Sequence, residues 1–212
     1  MWTRFCQLLF PISTLNNNLP KSPQSILNSS ITPKAQPTSQ SPQFKECTQN
    51  PAASTIEEVR VDMADMKVEK RPVALVTNVG SCVAICIHDP INKCGGLAHI
   101  MLPDSRITSR EILLPKYANT AVPALIEAVR KKGGRFSLSA KIAGGANMFP
   151  KLKSNTMNIG LKNVEAVKEA LAEHKVKLLA EDVRGTFGRK VTFNIFDGSV
   201  SVRGGNGEVK EL

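Results

Sequence analysis

Residues 73–103 read VALVTNVGSCVAICIHDPINKCGGLAHIMLP and contain three short apolar runs separated by turn signals. The runs lie at residues 73–77, 82–87 and 97–102. Apolar runs of this length are typical of neighbouring strands in a sheet that is covered on both faces. The stretch also contains three of the five cysteines and two of the three histidines, so we expect any thiol or imidazole chemistry here.

The chain after this stretch alternates between helix and strand. Residues 117–132 predict a helix, because apolar side chains recur every three or four positions and two glycines follow directly. A second helix is predicted over residues 162–174, with Asn158 or Asn163 as its N-cap. Between the helices, residues 138–143 alternate apolar and polar side chains as a strand does.

The last part of the sequence favours strands. Residues 176–180 predict a strand, and residues 190–203 predict a hairpin that turns at Asp197-Gly198. The charged, glycine-rich residues 204–212 are expected to fray. Strands and helices that interleave and then end in a hairpin indicate an α/β fold, a layered sandwich with a mixed β-sheet or two sheets flanked by helices.

Residues 1–62 predict a disordered N-terminal extension, and residues 63–212 predict the globular domain. Polar residues and proline dominate the extension, which therefore cannot offset its ordering entropy by burial. Its start resembles a signal peptide only faintly, because Pro11 interrupts a short apolar run, and we expect no export. Translation from Met63 or Met66 is an alternative. No run of 18 apolar residues is present, so we expect no membrane insertion.

The charge of the chain is concentrated in the predicted domain. The whole chain has a formal charge of +10, and residues 63–212 contain 23 basic and 14 acidic residues. Such a surface attracts an anionic partner. Aromatic residues are few and no nucleic-acid-binding motif is present, so we expect no nucleic-acid binding. The odd number of cysteines has no disulfide-type spacing, which favours a reducing compartment, the cytoplasm.

Cys82 is the strongest candidate for a nucleophile. It follows Gly80-Ser81 after a predicted strand, where successive backbone N–H groups can converge on an oxyanion. If the runs are adjacent strands, His99 can face Cys82, stabilise its thiolate and protonate a leaving group. From spacing alone, a cysteine in an apolar run is also a common core residue.

A zinc site is the competing hypothesis for the same stretch. Cys82, Cys86, Cys94 and His99 are four ligands of the kind that zinc binds tetrahedrally. Their spacing is poor, because Cys82 and Cys86 would lie about 13 Å apart along a straight strand at ~3.3 Å per residue. We therefore interpret Cys86 and Cys94 as packing and loop residues, and His88 as a structural residue in a turn.

Several blocks of the sequence together resemble the CheD family, the chemoreceptor glutamine deamidases of bacterial and archaeal chemotaxis. The blocks are, in order, GSCVAICIHDP, GGLAHIMLP, KYANTAVPALIEAV, AKIAGGANMF, MNIGLKNVEAVKEAL and KLLAEDVRG. The resemblance spans about residues 73–203 and implies a CheD-like α/β sandwich related to bacterial deamidating toxins. It also implies a catalytic cysteine, histidine and threonine.

The resemblance assigns roles to particular residues. Cys82 matches the nucleophile and His99 the general base. The backbone N–H groups of Gly80 and Ser81 are the oxyanion donors predicted from the turn before Cys82. For the threonine, the turn is one residue shorter than in the family, since Thr77 in VTNVGSC is five residues before Cys82 and the threonine of the TLGLGSC-like turn is six residues before its cysteine. Either Thr77 shifts by one position to orient the imidazole, or Val76 occupies the aligned place.

The sequence departs from the family pattern in two places, and the shortened turn before Gly80 is the first. Arg184 stands where the family tends to have glycine. The segment 144–149 and the second predicted helix are candidates for contact with a partner or substrate, although a tight glycine turn explains residues 144–149 equally well.

The function implied by the resemblance is hydrolytic deamidation of glutamine side chains on methyl-accepting chemotaxis receptors through a thioester. A methylesterase side activity on receptor glutamyl esters is implied with it, and no metal or organic cofactor is needed. The resemblance also implies a CheC-type phosphatase as a partner. The alternative is a non-catalytic chemotaxis adaptor that uses the same fold to bind receptor or CheC.

Overall fold

The computed structural model describes residues 56–107, 113–135, 137–148 and 158–212. Residues 1–55 lie outside these ranges, so the disorder of the extension stays a prediction. Within the described part, strand β1 (Glu58–Arg60) pairs in parallel with strand β3 (Ala74–Val79). Val61, which follows β1, is buried. Residues 58–61 therefore pack with the domain although they precede the predicted boundary at residue 63.

Ten strands and two α-helices make up most of the described residues. After β1 the strands are β2 (Met66–Glu69), β3, β4 (Val83–Asp89), β5 (Cys94–Ile100), β6 (Ser139–Gly144), β7 (Lys177–Val183), β8 (Arg189–Asn194), β9 (Val200–Gly204) and β10 (Val209–Glu211). The helices are α1 (Ala118–Lys132) and α2 (Ile159–Glu173).

The strands form two five-stranded sheets. We call the sheet with the order β1-β3-β8-β9-β10 the outer sheet, and the sheet with the order β2-β5-β4-β6-β7 the central sheet. Both are mixed, since β1 runs parallel to β3 and β6 runs parallel to β7, while the other neighbours are antiparallel. Both helices pack on the central sheet. This confirms the predicted layered α/β sandwich with mixed sheets.

Two apolar cores separate the three layers. The core between the central sheet and the helices is mostly aliphatic, with Ile85, Ile100, Leu125 and Val167 among its members. The core between the two sheets contains Leu75 and Phe193 from the outer sheet and Leu97 from the central sheet. Strands β4 and β5 are buried along their whole length, which explains their unbroken apolar sequence.

The hairpin of β4 and β5 is longer than predicted. Cys94 was interpreted as a loop residue, but it begins β5 and pairs with Asp89. His88 was placed in a turn, but it is a buried residue of β4. The strand tolerates this imidazole because His88 Nε2 donates a hydrogen bond of 3.0 Å to the carbonyl oxygen of Ile195 in the outer sheet.

The C-terminal end also differs from the prediction. Residues 204–212 were expected to fray, but β10 pairs antiparallel with β9, with Lys210 opposite Val202. The backbone pairing orders this end even though the side chains of β10 are exposed. The predicted hairpin of β8 and β9 is confirmed, and Gly198 in its connection has a φ of +76°. No helix among the described residues is long and apolar enough to cross a membrane.

Helix α2 begins three residues before the predicted start. Asn158 is its N-cap, since its side-chain oxygen accepts a hydrogen bond of 3.2 Å from the backbone N–H of Leu161. The second cap candidate, Asn163, lies inside the helix on its buried face. Its side chain therefore has a different role.

Candidate active site

The pairing of β4 with β5 places Cys82 beside His99. Ala84 lies directly opposite His99 and belongs to the core between the sheets. Cys82 precedes Ala84 by two residues and packs against the same core, so both residues are on one face of the central sheet. Cys82 lies in the bend directly before β4, so the register places it at the same end of the hairpin as His99 and against the same core. The structure brings together the two residues that the sequence predicted as nucleophile and base.

Thr77 reaches His99 from the outer sheet. Its Oγ1 lies 2.8 Å from His99 Nδ1 and 2.8 Å from the carbonyl oxygen of Val61. Val76 is the next residue along β3, and its side chain points to the opposite face of the strand. Of the two residues that the shortened turn left open, Thr77 makes the contact with the imidazole.

The hydrogen bonds of Thr77 define the tautomer of His99. The carbonyl of Val61 can only accept, so the Thr77 hydroxyl donates its proton there. Thr77 Oγ1 then accepts from His99 Nδ1–H, which leaves Nε2 of His99 as the nitrogen with the lone pair. Nε2 is buried and has no hydrogen-bond partner among the described residues.

Burial keeps both reactive groups neutral. It lowers the pKa of His99, although the carboxylate of Asp62 partly opposes this shift. Burial also raises the pKa of the Cys82 thiol, against a smaller opposing effect of its own backbone N–H. Both shifts favour the neutral forms, a thiol and an uncharged imidazole, over a thiolate–imidazolium pair.

The turn of residues 80–82 has its carbonyl groups bound and its N–H groups uncommitted. The carbonyls of Gly80 and Cys82 accept hydrogen bonds of 2.8 Å from the backbone of Ala146 and Gly145. The carbonyl of Ser81 accepts a hydrogen bond of 3.0 Å from a side-chain amide, described below. None of the three N–H groups donates to another described residue. Such groups next to a nucleophile are suited to bind an oxyanion.

Two glycines at the end of β6, Gly144 and Gly145, lie against this segment. Gly144 has a φ of +119°, and a Cβ there would lie 2.3 Å from the carbonyl oxygen of Cys82. Only glycine allows both the left-handed backbone and this close approach. Residues 144–149 were predicted as a candidate for partner contact or as a tight glycine turn. Phe149 lies outside the described residues, and Gly144 ends β6 while the N–H of Gly145 donates to the carbonyl of Cys82.

The four residues of the alternative zinc site do not converge. Cys82, Cys86 and His99 are on the face toward the outer sheet, whereas Cys94 belongs to the core under the helices. The thiol of Cys94 donates to the carbonyl of Val129 in α1 at 3.7 Å. Within the described ranges, no group of three or more His, Cys, Asp or Glu residues is placed to hold a metal ion.

One residue of the site was missed in the sequence. Asn163 of α2 is completely buried, and its side-chain nitrogen donates to the carbonyls of Ser81 and Met101, at 3.0 and 2.8 Å. The signal was available: Asn163 is at helical spacing with Val167 on the apolar face of the helix. A polar residue on such a face needs a buried partner.

Among the described residues, a half-buried thiol, an imidazole nitrogen without a hydrogen-bond partner and backbone N–H groups without an acceptor are groups of the kind that cysteine-type acyl transfer uses. Comparison with known proteins agrees with the resemblance in the sequence. The family model for CheD chemotactic sensory transduction matches residues 101–204. The chain belongs to the CheD family.

Three relatives illustrate the similarity. A probable chemoreceptor glutamine deamidase CheD of Methanococcus maripaludis is 46% identical over 155 residues, which cover 73% of this chain and 99% of the relative. The chemoreceptor glutamine deamidase CheD of Thermotoga maritima is 46% identical over 155 residues, 72% of this chain and 96% of its own. For the probable CheD of Desulforamulus reducens the identity is 42% over 149 residues, with 69% and 90% covered. The relatives are named as enzymes.

Proposed function

We propose that this chain hydrolyses glutamine side chains of chemoreceptors to glutamate, with Cys82 as the nucleophile and His99 as the general base. The observation that carries the proposal is the Nε2 atom of His99, which is buried, has no hydrogen-bond partner among the described residues and lies at the same end of the β4–β5 hairpin as Cys82. The substrate class comes from the names of the relatives, which are chemoreceptor glutamine deamidases.

The first half of the reaction forms a thioester. The Cys82 thiol gives its proton to His99 Nε2 while the sulfur attacks the side-chain carbonyl carbon of the glutamine. The new oxyanion is held by backbone N–H groups of Gly80–Cys82. His99 then donates the same proton to the amide nitrogen, the C–N bond breaks, and ammonia leaves.

The second half hydrolyses the thioester. A water molecule gives a proton to His99 Nε2 and attacks the acyl carbon, and the C–S bond breaks as the proton returns to the sulfur of Cys82. One water is consumed and one ammonia released, and the product is glutamate. Thr77 contributes by keeping the proton of the resting imidazole on Nδ1, so that Nε2 is ready to accept.

An open groove next to the turn provides an approach for the substrate. It has a volume of about 520 Å³ and is lined by Gly80, by the exposed Met148 and by the basic side chains of Lys190 and Arg203, among others. The excess of basic over acidic residues in residues 63–212 acts in the same direction. An acidic receptor segment would be attracted to this surface by its charge.

The test is a mass measurement on a receptor cytoplasmic fragment. Incubation with the wild-type protein should add about one dalton per converted glutamine, and Cys82→Ala should abolish the change. Cys86→Ala is the matched control, because Cys86 belongs to the same core as Cys82 but lies inside β4, buried away from the turn. Retained conversion by folded Cys82→Ala would rule out the mechanism.

Two finer functions belong to this proposal. The same acyl transfer applied to a glutamyl methyl ester would release methanol instead of ammonia, so a methylesterase side activity uses the same site. The partner that we propose besides the receptor is a CheC-type phosphatase. Methanol release and co-purification with CheC are the respective measurements.

The second candidate function is a non-catalytic chemotaxis adaptor. The raised pKa of Cys82 is the observation in its favour, because a thiol that stays protonated is a weak nucleophile without its base. An adaptor would bind the receptor fragment with the wild-type protein and Cys82→Ala alike and leave its mass unchanged. Deamidation that depends on Cys82 excludes this alternative.

A further inference from the structure

Asn163 occupies a position on α2 where the neighbouring buried residues are small or aliphatic. Gly160, Val164 and Val167 surround it on the same face, and Asn163 itself has no exposed surface. Both of its partners are backbone carbonyls, so the amide nitrogen must face them. The amide oxygen, Oδ1, is buried and has no partner among the described residues.

This arrangement has both a cost and a gain in stability. The buried amide oxygen without a partner costs free energy, but an aliphatic residue at this position would leave the carbonyls of Ser81 and Met101 without this donor. The helix is also brought unusually close to the site. A Cβ at Gly145 would lie 2.9 Å from the carbonyl oxygen of Gly160, so two glycines permit the approach that lets Asn163 reach the turn.

The two carbonyls bound by Asn163 belong to the two segments that carry the reactive groups. Ser81 immediately precedes Cys82, and Met101 follows His99 by two residues. The carbonyl of Ser81 and the N–H of Cys82 are parts of one peptide unit, and in a trans peptide they point in opposite directions. Fixing the carbonyl of Ser81 therefore fixes the direction of the Cys82 N–H.

We propose that Asn163 is a positioning residue that aims the backbone N–H of Cys82 at the oxyanion and holds the end of the His99 strand in register with it. The proposal deepens the proposed function and rests on it for its catalytic part. The Cys82 N–H donates to no other described residue, so it is available for this task. Asn163 acts through the peptide and does not touch the substrate.

The experiment compares Asn163→Leu with Val167→Ala, a variant one helical turn further on that leaves a cavity in the same core. We expect kcat for deamidation to fall about 10- to 100-fold in Asn163→Leu with little change in KM, because a displaced donor weakens only the transition state. Val167→Ala should lower the resistance to urea but leave kcat within about 3-fold. Asn163→Ser, which can donate one of the two hydrogen bonds, should lie between and serves if Asn163→Leu fails to fold.

Two further measurements separate positioning from general damage. Alkylation of Cys82 by iodoacetamide needs no oxyanion donor, so its rate should be the same in Asn163→Leu and wild type. In ¹H–¹⁵N NMR spectra, the amide signal of Cys82 should move strongly in Asn163→Leu and stay in place in Val167→Ala. This second readout does not depend on turnover.

The outcomes are distinguishable. If the wild type does not deamidate, the proposed function fails, and the NMR comparison still decides whether Asn163 orients the Cys82 peptide. An active wild type with an equally active, folded Asn163→Leu overturns the inference. So does an unmoved Cys82 amide signal, or a loss of kcat in Val167→Ala as large as in Asn163→Leu.

Discussion

A cysteine and a histidine lie between the two sheets at each end of β4. Cys82 and His99 lie at the end where β4 begins, and Cys86 and His88 lie toward the end where it stops. All four side chains belong to the face of the central sheet that is turned to the outer sheet. The two sets have the same residue types and differ in their hydrogen-bond partners and in their exposure.

The two sets differ in whether the imidazole nitrogen already has a hydrogen-bond partner and whether the thiol is exposed. His88 Nε2 donates to the carbonyl of Ile195, and the edge of its ring contacts Phe193, so this imidazole is held as a structural element. Cys86 is fully enclosed, and burial raises its pKa strongly. At the other end, His99 Nε2 has no hydrogen-bond partner in the part of the chain that the structure describes, and Cys82 is half-exposed. Residue type alone therefore does not define a site; an uncommitted lone pair and access do.

The largest effect should separate the two histidines. His99→Gln removes the base, and we expect kcat for deamidation to fall about 10²- to 10⁴-fold. His88→Gln loses the bond to Ile195, which should cost about 1–3 kcal/mol of unfolding free energy while the activity stays within a few-fold. Urea unfolding and the mass assay on both variants measure this contrast. Equal losses of activity would contradict the assignment.

The pH dependence should reveal which histidine is the base. Burial places the pKa of His99 below its usual 6.5, and protonation of Nε2 abolishes its function. We therefore expect kcat/KM to be constant near neutral pH and to fall about tenfold per unit once the pH drops below that pKa. His88→Gln should leave this fall of kcat/KM at low pH unchanged. A profile that instead falls above neutral pH would indicate a thiolate–imidazolium pair.

Thr77 provides a smaller test of the site. Thr77→Val keeps the shape but removes the oxygen that accepts from His99 Nδ1, so both tautomers become populated and kcat should fall about tenfold. Thr77→Ser retains the oxygen and should stay close to wild type. The ¹⁵N shifts of the His99 ring report the tautomer directly. An unchanged ring in Thr77→Val would show that Thr77 does not set it.

The smallest expected effect is on stability and concerns two residues with left-handed backbone, one near each end of β4. Arg184 has a φ of +69° and its backbone N–H donates to Gly144 near the site, while Lys93 has a φ of +47° in the distant β4–β5 turn. Arg184→Gly should raise the free energy of unfolding by up to about 1 kcal/mol. Lys93→Gly should raise the free energy of unfolding by less. It also removes the cation–π contact of the Lys93 ammonium, which lies 3.7 Å from the ring centroid of Phe196. A destabilised Arg184→Gly would contradict this assignment of strain.

Much of the fold could be predicted because its central strands are buried on both faces. The continuous apolar runs of β3, β4 and β5 carry that information in the residues themselves. Strands β1, β2 and β10 could not be found in this way. Each has only three or four residues with partly or fully exposed side chains, and pairing with a neighbour makes them strands.

The site was predictable to the extent that its residues are close along the chain. Cys82 and His99 were expected together because one hairpin carries both. Thr77 remained ambiguous, since the shortened turn does not reveal which residue of β3 faces the imidazole. Asn163 comes from a helix more than 60 residues after His99, and only the packing of α2 on the turn shows its contact with Ser81.

The hydrogen bond from Thr77 to the carbonyl of Val61 has a consequence for the choice of start codon. A polypeptide that begins at Met63 lacks this carbonyl together with β1. The Thr77 hydroxyl can then also donate to His99 Nδ1, so a share of the imidazole carries its proton on Nε2, where it cannot act as the proposed base. Such a fragment could fold and bind its receptor and still turn over poorly. Fragments for expression should therefore start upstream of Glu57.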